Sequence, residues 1–184
     1  MKKLILNFPL LFLILLTITA CWDNKKDTAG DIALKALQAD RLHSDSLLMK
    51  FDSIDFDVYS NQKWNHLSLS HADNILVHYP DGHTTKGIAA HIEELKPMFV
   101  FAPDTKIKKH PVRIAADNWT SVIGEMEGTF SSPMPIGNGK TIPPTGKKFK
   151  FQMVTVGHWV NGKMDEEYLF YDNYSFMKQI GLAP

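Results

Sequence analysis

Apolar residues along this chain change their period near its middle. Ile32, Leu34, Leu37, Leu42 and Leu48 recur at loosely helical intervals and predict a helix over residues 31–50, with Asp31 as its cap. A second helical pair is predicted over 51–59 and 63–71, where Trp64, Leu67 and His71 share a face. Residues 74–79 form a short β-like run stopped by Pro80-Asp81-Gly82, and 87–98 return to helical spacing through Ile88, His91, Ile92 and Leu95. From there β-rich or alternating composition predicts strands over 105–115, 119–130, 147–160 and 164–172. Asn161-Gly162 fits a type I′ hairpin turn, which needs positive φ at both central residues. Residues 131–146, rich in Pro and Gly, read as a loop, and 174–180 as a closing helix. Helices first and an antiparallel sheet afterwards predict an α+β domain with helices on one sheet face.

Alternation assigns side chains to faces. In 147–160 it groups Phe149, Phe151, Met153, Thr155 and Trp159 toward the core, with Lys148, Lys150, Gln152 and His158 on the other side. In 164–172 it sends Met164, Glu166, Tyr168, Phe170 and Asp172 inward, and Asp165 and Glu167 outward. Glu166 and Asp172 then become acids on an apolar face, where an unpaired carboxylate is costly and points to a functional site.

The first residues follow a different logic. Lys2 and Lys3 precede an apolar run over 4–18, too short for a comfortable membrane span of about 20 residues. Ile18-Thr19-Ala20-Cys21 resembles the lipobox of bacterial lipoproteins, and Cys21 is the only cysteine in the chain. The expected organisation is a signal peptide over 1–20, a tether and N-terminal helix over 21–50, and a folded domain over 51–184. Acylation of Cys21, palmitate included, would hold the domain on a membrane of the bacterial cell envelope at about 0.8 kcal/mol per buried methylene.

Charge adds exclusions. Twenty basic and twenty acidic residues cancel, so no basic face for nucleic acid is expected. Phosphate-cradling glycine motifs, a Gly-x-Ser-x-Gly elbow and a compact His-Glu-x-x-His motif are all absent from the sequence, and no cofactor or metal is expected.

Trp64, His78, Gly128-Thr129, Pro144-Thr145-Gly146-Lys147, Gly162-Lys163-Met164 and the ending from Asp172 through Gln179-Ile180-Gly181-Leu182 carry a resemblance. In that order and spacing, residues 51–182 resemble the SnoaL-like polyketide cyclases and ester cyclases of the nuclear transport factor 2-like superfamily. The resemblance implies a conical sheet wrapped around a long helix, with a pocket inside the cone. It also implies a chemistry in which a carboxylate takes a proton beside a carbonyl and the enolate closes onto a second carbonyl. One departure is Gly128-Thr129-Phe130, where members often carry Gly-Thr-His.

Two functions from different classes follow. One is a membrane-tethered module that binds a small, largely apolar molecule in a pocket lined by Trp64, Phe130, Thr155, Trp159, Glu166 and Tyr168. The other is a cyclase or isomerase that uses His78 and Asp172 as its catalytic pair. A non-catalytic homodimer through the sheet, with a filled cone, is the plainest alternative. Asp172 also precedes a helix, where aspartate commonly serves as an N-cap.

Overall fold

The computed structural model describes residues 27–184, and the expected signal peptide and Cys21 lie outside the described residues. Helix α1 (Ala29–Ser53) opens with a capping box in which the Thr28 hydroxyl accepts from the Asp31 amide and the Asp31 carboxylate accepts from the Thr28 amide. Its first half stands in solvent, with Ile32, Leu34, Leu37 and Leu42 exposed, while Leu47 and Phe51 are buried in the core and Leu48 packs against it. The irregular apolar stripe of that segment is the reason: it presents no continuous face for packing. A π-helical turn, Ile54–Tyr59, continues α1, and a 3₁₀ helix, Trp64–Leu69, follows. Among the described residues no helix is long and apolar enough to cross a membrane.

The strands are β1 (His71–His78), β2 (Thr84–Lys86), β3 (Lys106–Ala116), β4 (Trp119–Thr129), β5 (Met134–Pro135), β6 (Thr141–Ile142), β7 (Lys148–Val160) and β8 (Lys163–Tyr171). Helix α2 (Ile88–Phe101) links β2 to β3, and α3 (Asn173–Gln179) ends the fold. The main sheet runs β2-β1-β8-β7-β4-β3, antiparallel throughout except for the parallel pair β1 and β8. This α+β architecture, a curved and largely antiparallel sheet packed with helices, matches the fold expected from the sequence. The Asn161-Gly162 turn has φ of 51° and 73°, as a type I′ hairpin requires.

Thr28 and not Asp31 is the N-cap of α1, the short strand β2 has no counterpart among the expected elements, and two further features differ from the expectation. The first strand begins at His71 instead of residue 74, because the 3₁₀ helix closes on itself through the Ser70 amide and Leu67 carbonyl. The Ser70 carbonyl then accepts from the Met164 amide, which draws the next residue into the sheet. The loop over 131–146 contains a small hairpin of its own, β5 with β6.

Apolar packing falls into two clusters. Leu47, Phe51, Leu67, Ile75, Val77, Trp159 and Met164 form the first, and Phe99, Phe101, Phe130, Phe149, Phe151 and Phe176 dominate the second. Each fully buried large side chain contributes about 1.5–3 kcal/mol. On β7 the faces follow alternation: Phe149, Phe151, Thr155 and Trp159 are buried, while Lys148, Lys150 and Gln152 are exposed.

Strand β8 does not keep that alternation. Met164, Glu167 and Leu169 are buried, so the inward parity changes between residues 164 and 167. The cause is a bulge: His158 pairs with Glu166 and Trp159 with Met164, leaving Asp165 as an extra residue. One inserted residue exchanges the faces of everything beyond it. The assignment of Glu166, Tyr168 and Phe170 to the inner face is therefore corrected: Glu167 and Leu169 take the inner face.

Candidate functional site

A cavity of about 120 Å³ lies at the seam between the two apolar clusters. Ile54, Leu67 and Leu169 from the first cluster, and Tyr59, Ile107, Met126 and Phe151 from the second, supply apolar wall, and Leu95, Met98 and Met153 complete it. Asp55, His71, His91, Glu94 and Glu167 are the ionisable groups in the lining besides tyrosines. The volume is below the roughly 300 Å³ of an ordinary drug-sized site. It approaches the ~150 Å³ apolar cavity that accommodates benzene.

Three elements bring His71, His91 and Glu167 together. His71 opens β1, His91 sits in the second turn of α2, and Glu167 is turned inward by the β8 bulge. Side-chain exposure is 1%, 3% and 8% in that order. Glu167 Oε2 stands 3.3 Å from His91 Nε2 and 3.8 Å from His71 Nε2, yet it has no hydrogen-bond partner among the described residues. Burial pushes the His91 pKa down against the attraction of Glu167. Burial raises the Glu167 pKa, but His91 and His71 outweigh it and hold the carboxyl below its ordinary value.

The far sides of both rings are fixed. His71 Nδ1 lies 2.9 Å from Ser70 Oγ, which donates to the Leu67 carbonyl at 3.1 Å. His91 Nδ1 lies 2.9 Å from the Tyr79 hydroxyl, itself 3.2 Å from Thr85 Oγ1. Burial pushes the Tyr79 phenol up to about 12, so it stays protonated.

A second polar group borders the same cavity. The π-helical turn presents Asp55 and Tyr59 to it, and such turns recur at functional sites. Asp55 Oδ2 lies 2.8 Å from His110 Nε2, and His110 Nδ1 lies 2.7 Å from Asp52 Oδ1. Arg113 donates to the other Asp52 oxygen. Burial disfavours charge on His110, but hydrogen bonds from its ring to Asp55 and Asp52 prevail and raise its pKa. Burial likewise raises the pKa of Asp55, against the pull of His110.

Of the residues singled out from sequence as pocket-lining, one lines the cavity and the others take other places. Thr155 lines the cavity. Trp159 is buried in the first cluster, where its indole N–H donates to the Thr120 hydroxyl at 2.9 Å. Phe130 is buried edge-on against Phe101, and Trp64 packs edge-on to Tyr59 and Phe99. Glu166 and Tyr168 lie with His78 outside the cavity: Glu166 Oε1 is 2.9 Å from His78 Nε2 and accepts from the Tyr168 hydroxyl at 2.8 Å. His78 stacks on Tyr168 with centroids 4.1 Å apart.

Asp172 caps α3, accepting from the Ser175 amide at 2.9 Å and from the Ser175 hydroxyl. His78 and Asp172 each bond elsewhere and neither lines the cavity, so the expected pairing of the two is not formed. Sequence spacing gave no signal for His71 with His91 or for Glu167, because twenty residues, a helix and a bulge separate them from any motif. A histidine in each predicted apolar helical stripe, His71 and His91, was the available hint.

The comparisons agree with this geometry at the level of fold. A curved, largely antiparallel sheet closing over an interior cavity defines the nuclear transport factor 2-like class. The family model of the SnoaL-like polyketide cyclases matches residues 54–180, and the chain belongs to that family. A SnoaL-like protein from Jannaschia sp. CCS1 is similar in structure with a TM-score of 0.66 at 16% identity, covering 77% of this chain and 95% of that one. IdmH from Streptomyces antibioticus, described as a polyketide cyclase candidate, superposes with a TM-score of 0.59 at 18% identity over 68% of this chain and 92% of its own. A ketosteroid isomerase-like protein from Catenulispora acidiphila, solved with trimethylamine, gives a TM-score of 0.57 at 12% identity, over 75% of this chain and 93% of its own. Among curated proteins no sequence matches the chain.

Proposed function

We propose that this SnoaL-like domain binds a small, largely apolar molecule in its interior cavity, and that the lipidated Cys21 anchors it to a membrane of the bacterial cell envelope. The observation that carries the binding reading is the cavity itself, apolar in its walls and polar at the His71, His91, Glu167 and Asp55 positions. A volume of about 120 Å³ selects a ligand of roughly half a dozen non-hydrogen atoms, by analogy with the benzene-sized cavity. A polycyclic substrate would need a wider cone. The anchoring reading rests on Lys2, Lys3, the apolar run over 4–18 and the Ile18-Thr19-Ala20-Cys21 sequence.

Thermal unfolding of the full chain against a panel of benzene-sized carbonyl compounds tests the first reading. A saturable rise in Tm is expected, and Leu169→Trp, which fills the cavity, should abolish it. A panel without effect on wild type, under conditions where native mass spectrometry also finds no co-purifying molecule, overturns the reading. Detergent partitioning tests the second: Cys21→Ser should move the protein to the aqueous phase or stall processing. Unchanged partitioning and processing overturn the anchor.

An enzymatic reading of the same cavity is favoured by Asp55, a buried carboxylate whose pKa is raised toward the range of a general base. In that reading Asp55 replaces the His78 and Asp172 pair, with His110 orienting it. Asp55→Asn would then abolish proton exchange from a bound carbonyl compound while leaving its binding intact.

A further inference from the structure

We infer that His71, His91 and Glu167 form a binding site for a divalent first-row transition cation on the wall of the interior cavity. The inference shares the cavity of the small-molecule reading but needs no organic ligand, so the two can fail separately.

Ser70 Oγ gives its proton to the Leu67 carbonyl and is left to accept from His71 Nδ1–H. The Tyr79 hydroxyl, 2.9 Å from His91 Nδ1 and 3.2 Å from Thr85 Oγ1, is likewise placed to accept from the Nδ1–H tautomer of His91. In that neutral Nδ1–H tautomer both imidazoles present an unprotonated Nε2 to Glu167 Oε2, at 3.8 and 3.3 Å. Three lone-pair donors converge in a buried space, and the carboxylate oxygen among them has no hydrogen-bond partner among the described residues. In that tautomer the three lone pairs repel one another unless a cation sits between them.

Geometry supports the same answer. The ligand atoms of the three side chains all lie within 4.8 Å of one another. Ligands about 2.0–2.1 Å from a tetrahedral zinc are separated by roughly 3.3 Å, so the His91 and Glu167 pair is already at ligand spacing. A side-chain rotation that draws His71 Nε2 in by about half an ångström brings its 3.8 Å separation from Glu167 Oε2 to the same spacing. Two imidazoles with one carboxylate suit zinc or iron rather than magnesium or calcium, which prefer oxygen. Hydrogen bonds to both Nδ1 atoms are the outer support that ligating histidines characteristically have. Because the protein offers three ligands on the cavity wall, the remaining position opens onto the cavity, where a water or a ligand heteroatom completes the coordination.

Cobalt(II) is a suitable spectroscopic probe. The untagged full chain, cleared with EDTA and freed of chelator, should bind one Co²⁺ per chain with visible d–d absorption, and Zn²⁺ should bleach that absorption. Glu167→Gln and His91→Ala should each weaken binding by at least about tenfold. Glu166→Gln, which alters the neighbouring histidine–glutamate pair outside the cavity, should leave it unchanged. Failure of wild type to saturate at one equivalent, equal binding by Glu167→Gln, or loss in Glu166→Gln alone overturns the site. If the cavity variants do not fold by circular dichroism, X-ray absorption of the zinc-loaded wild type decides. Two imidazole ligands support the site, and a shell without them, or one containing sulfur, overturns it.

Discussion

Glu166 and Glu167 are neighbours on one strand, and each faces histidine, yet the two lead opposite lives. Glu166 is 30% exposed, and its Oε1 accepts from Tyr168 and contacts His78. Glu167 is 8% exposed and holds one oxygen unpartnered between two imidazoles. A half-buried, satisfied pair of this kind contributes little to stability. A buried, unsatisfied carboxylate is costly, which is the reason the cation site is proposed at Glu167 and not at Glu166. The pleat puts the two on opposite faces, and one extra residue in β8, Asp165, decides which of them turns inward.

Deleting Asp165 strikes at that difference directly and should have the largest effect. Removing the bulge turns either Met164 or the Glu167 and Leu169 pair to the wrong face. The loss should exceed about 4 kcal/mol, a large part of the stability of a domain this size, and should abolish a cooperative thermal transition. A deletion variant that melts like wild type would show that the bulge does not set the faces.

Gly157 sharpens the comparison from the other strand. It pairs with Glu167, and a Cβ there would meet Met164 Sδ at 2.8 Å and Cε at 2.9 Å. Met164 is fully buried, so its side chain has nowhere to withdraw. Gly157→Ala should therefore cost about 1–3 kcal/mol in urea unfolding, the usual range for overpacking.

His110 extends the contrast to pH. Its raised pKa means that its pairing with Asp52 and Asp55 stabilises the fold fully below the unfolded value of about 6.5. That contribution is lost as pH rises through the higher folded value. Urea midpoints measured upward from pH 6 should fall over that window, and His110→Gln should flatten the fall. A wild-type midpoint that rises instead would assign the titration to other groups. The smallest effect belongs to the outer pair: His78→Ala should change stability by less than about 1 kcal/mol at any pH tested by the same measurement.

Legibility in the sequence followed the range of the interactions. On β7, Phe149, Phe151 and Trp159 face inward as period-two alternation requires, because a regular ladder transmits parity unchanged. The Asn161-Gly162 turn was legible for a similar reason, since its positive φ values depend on two residues alone. The cap at Asp172 is equally local, with its partner three residues away. The candidate site was not local: His71 and His91 carried no motif, and Glu167 was assigned to solvent by an alternation that a bulge interrupts.

Residue order by itself determined the order of the main helices and the long strands, the SnoaL-like family and the apolar face of β7. Those depend on periodicity and on turn chemistry, which act over a few residues. Tertiary structure alone decided that β1 lies beside β8 in parallel, that Asp165 bulges, and that a carboxylate from β8 meets imidazoles from β1 and α2. Those depend on contacts between residues up to 96 positions apart, 167 minus 71, and a convergence of that kind leaves no trace in local spacing.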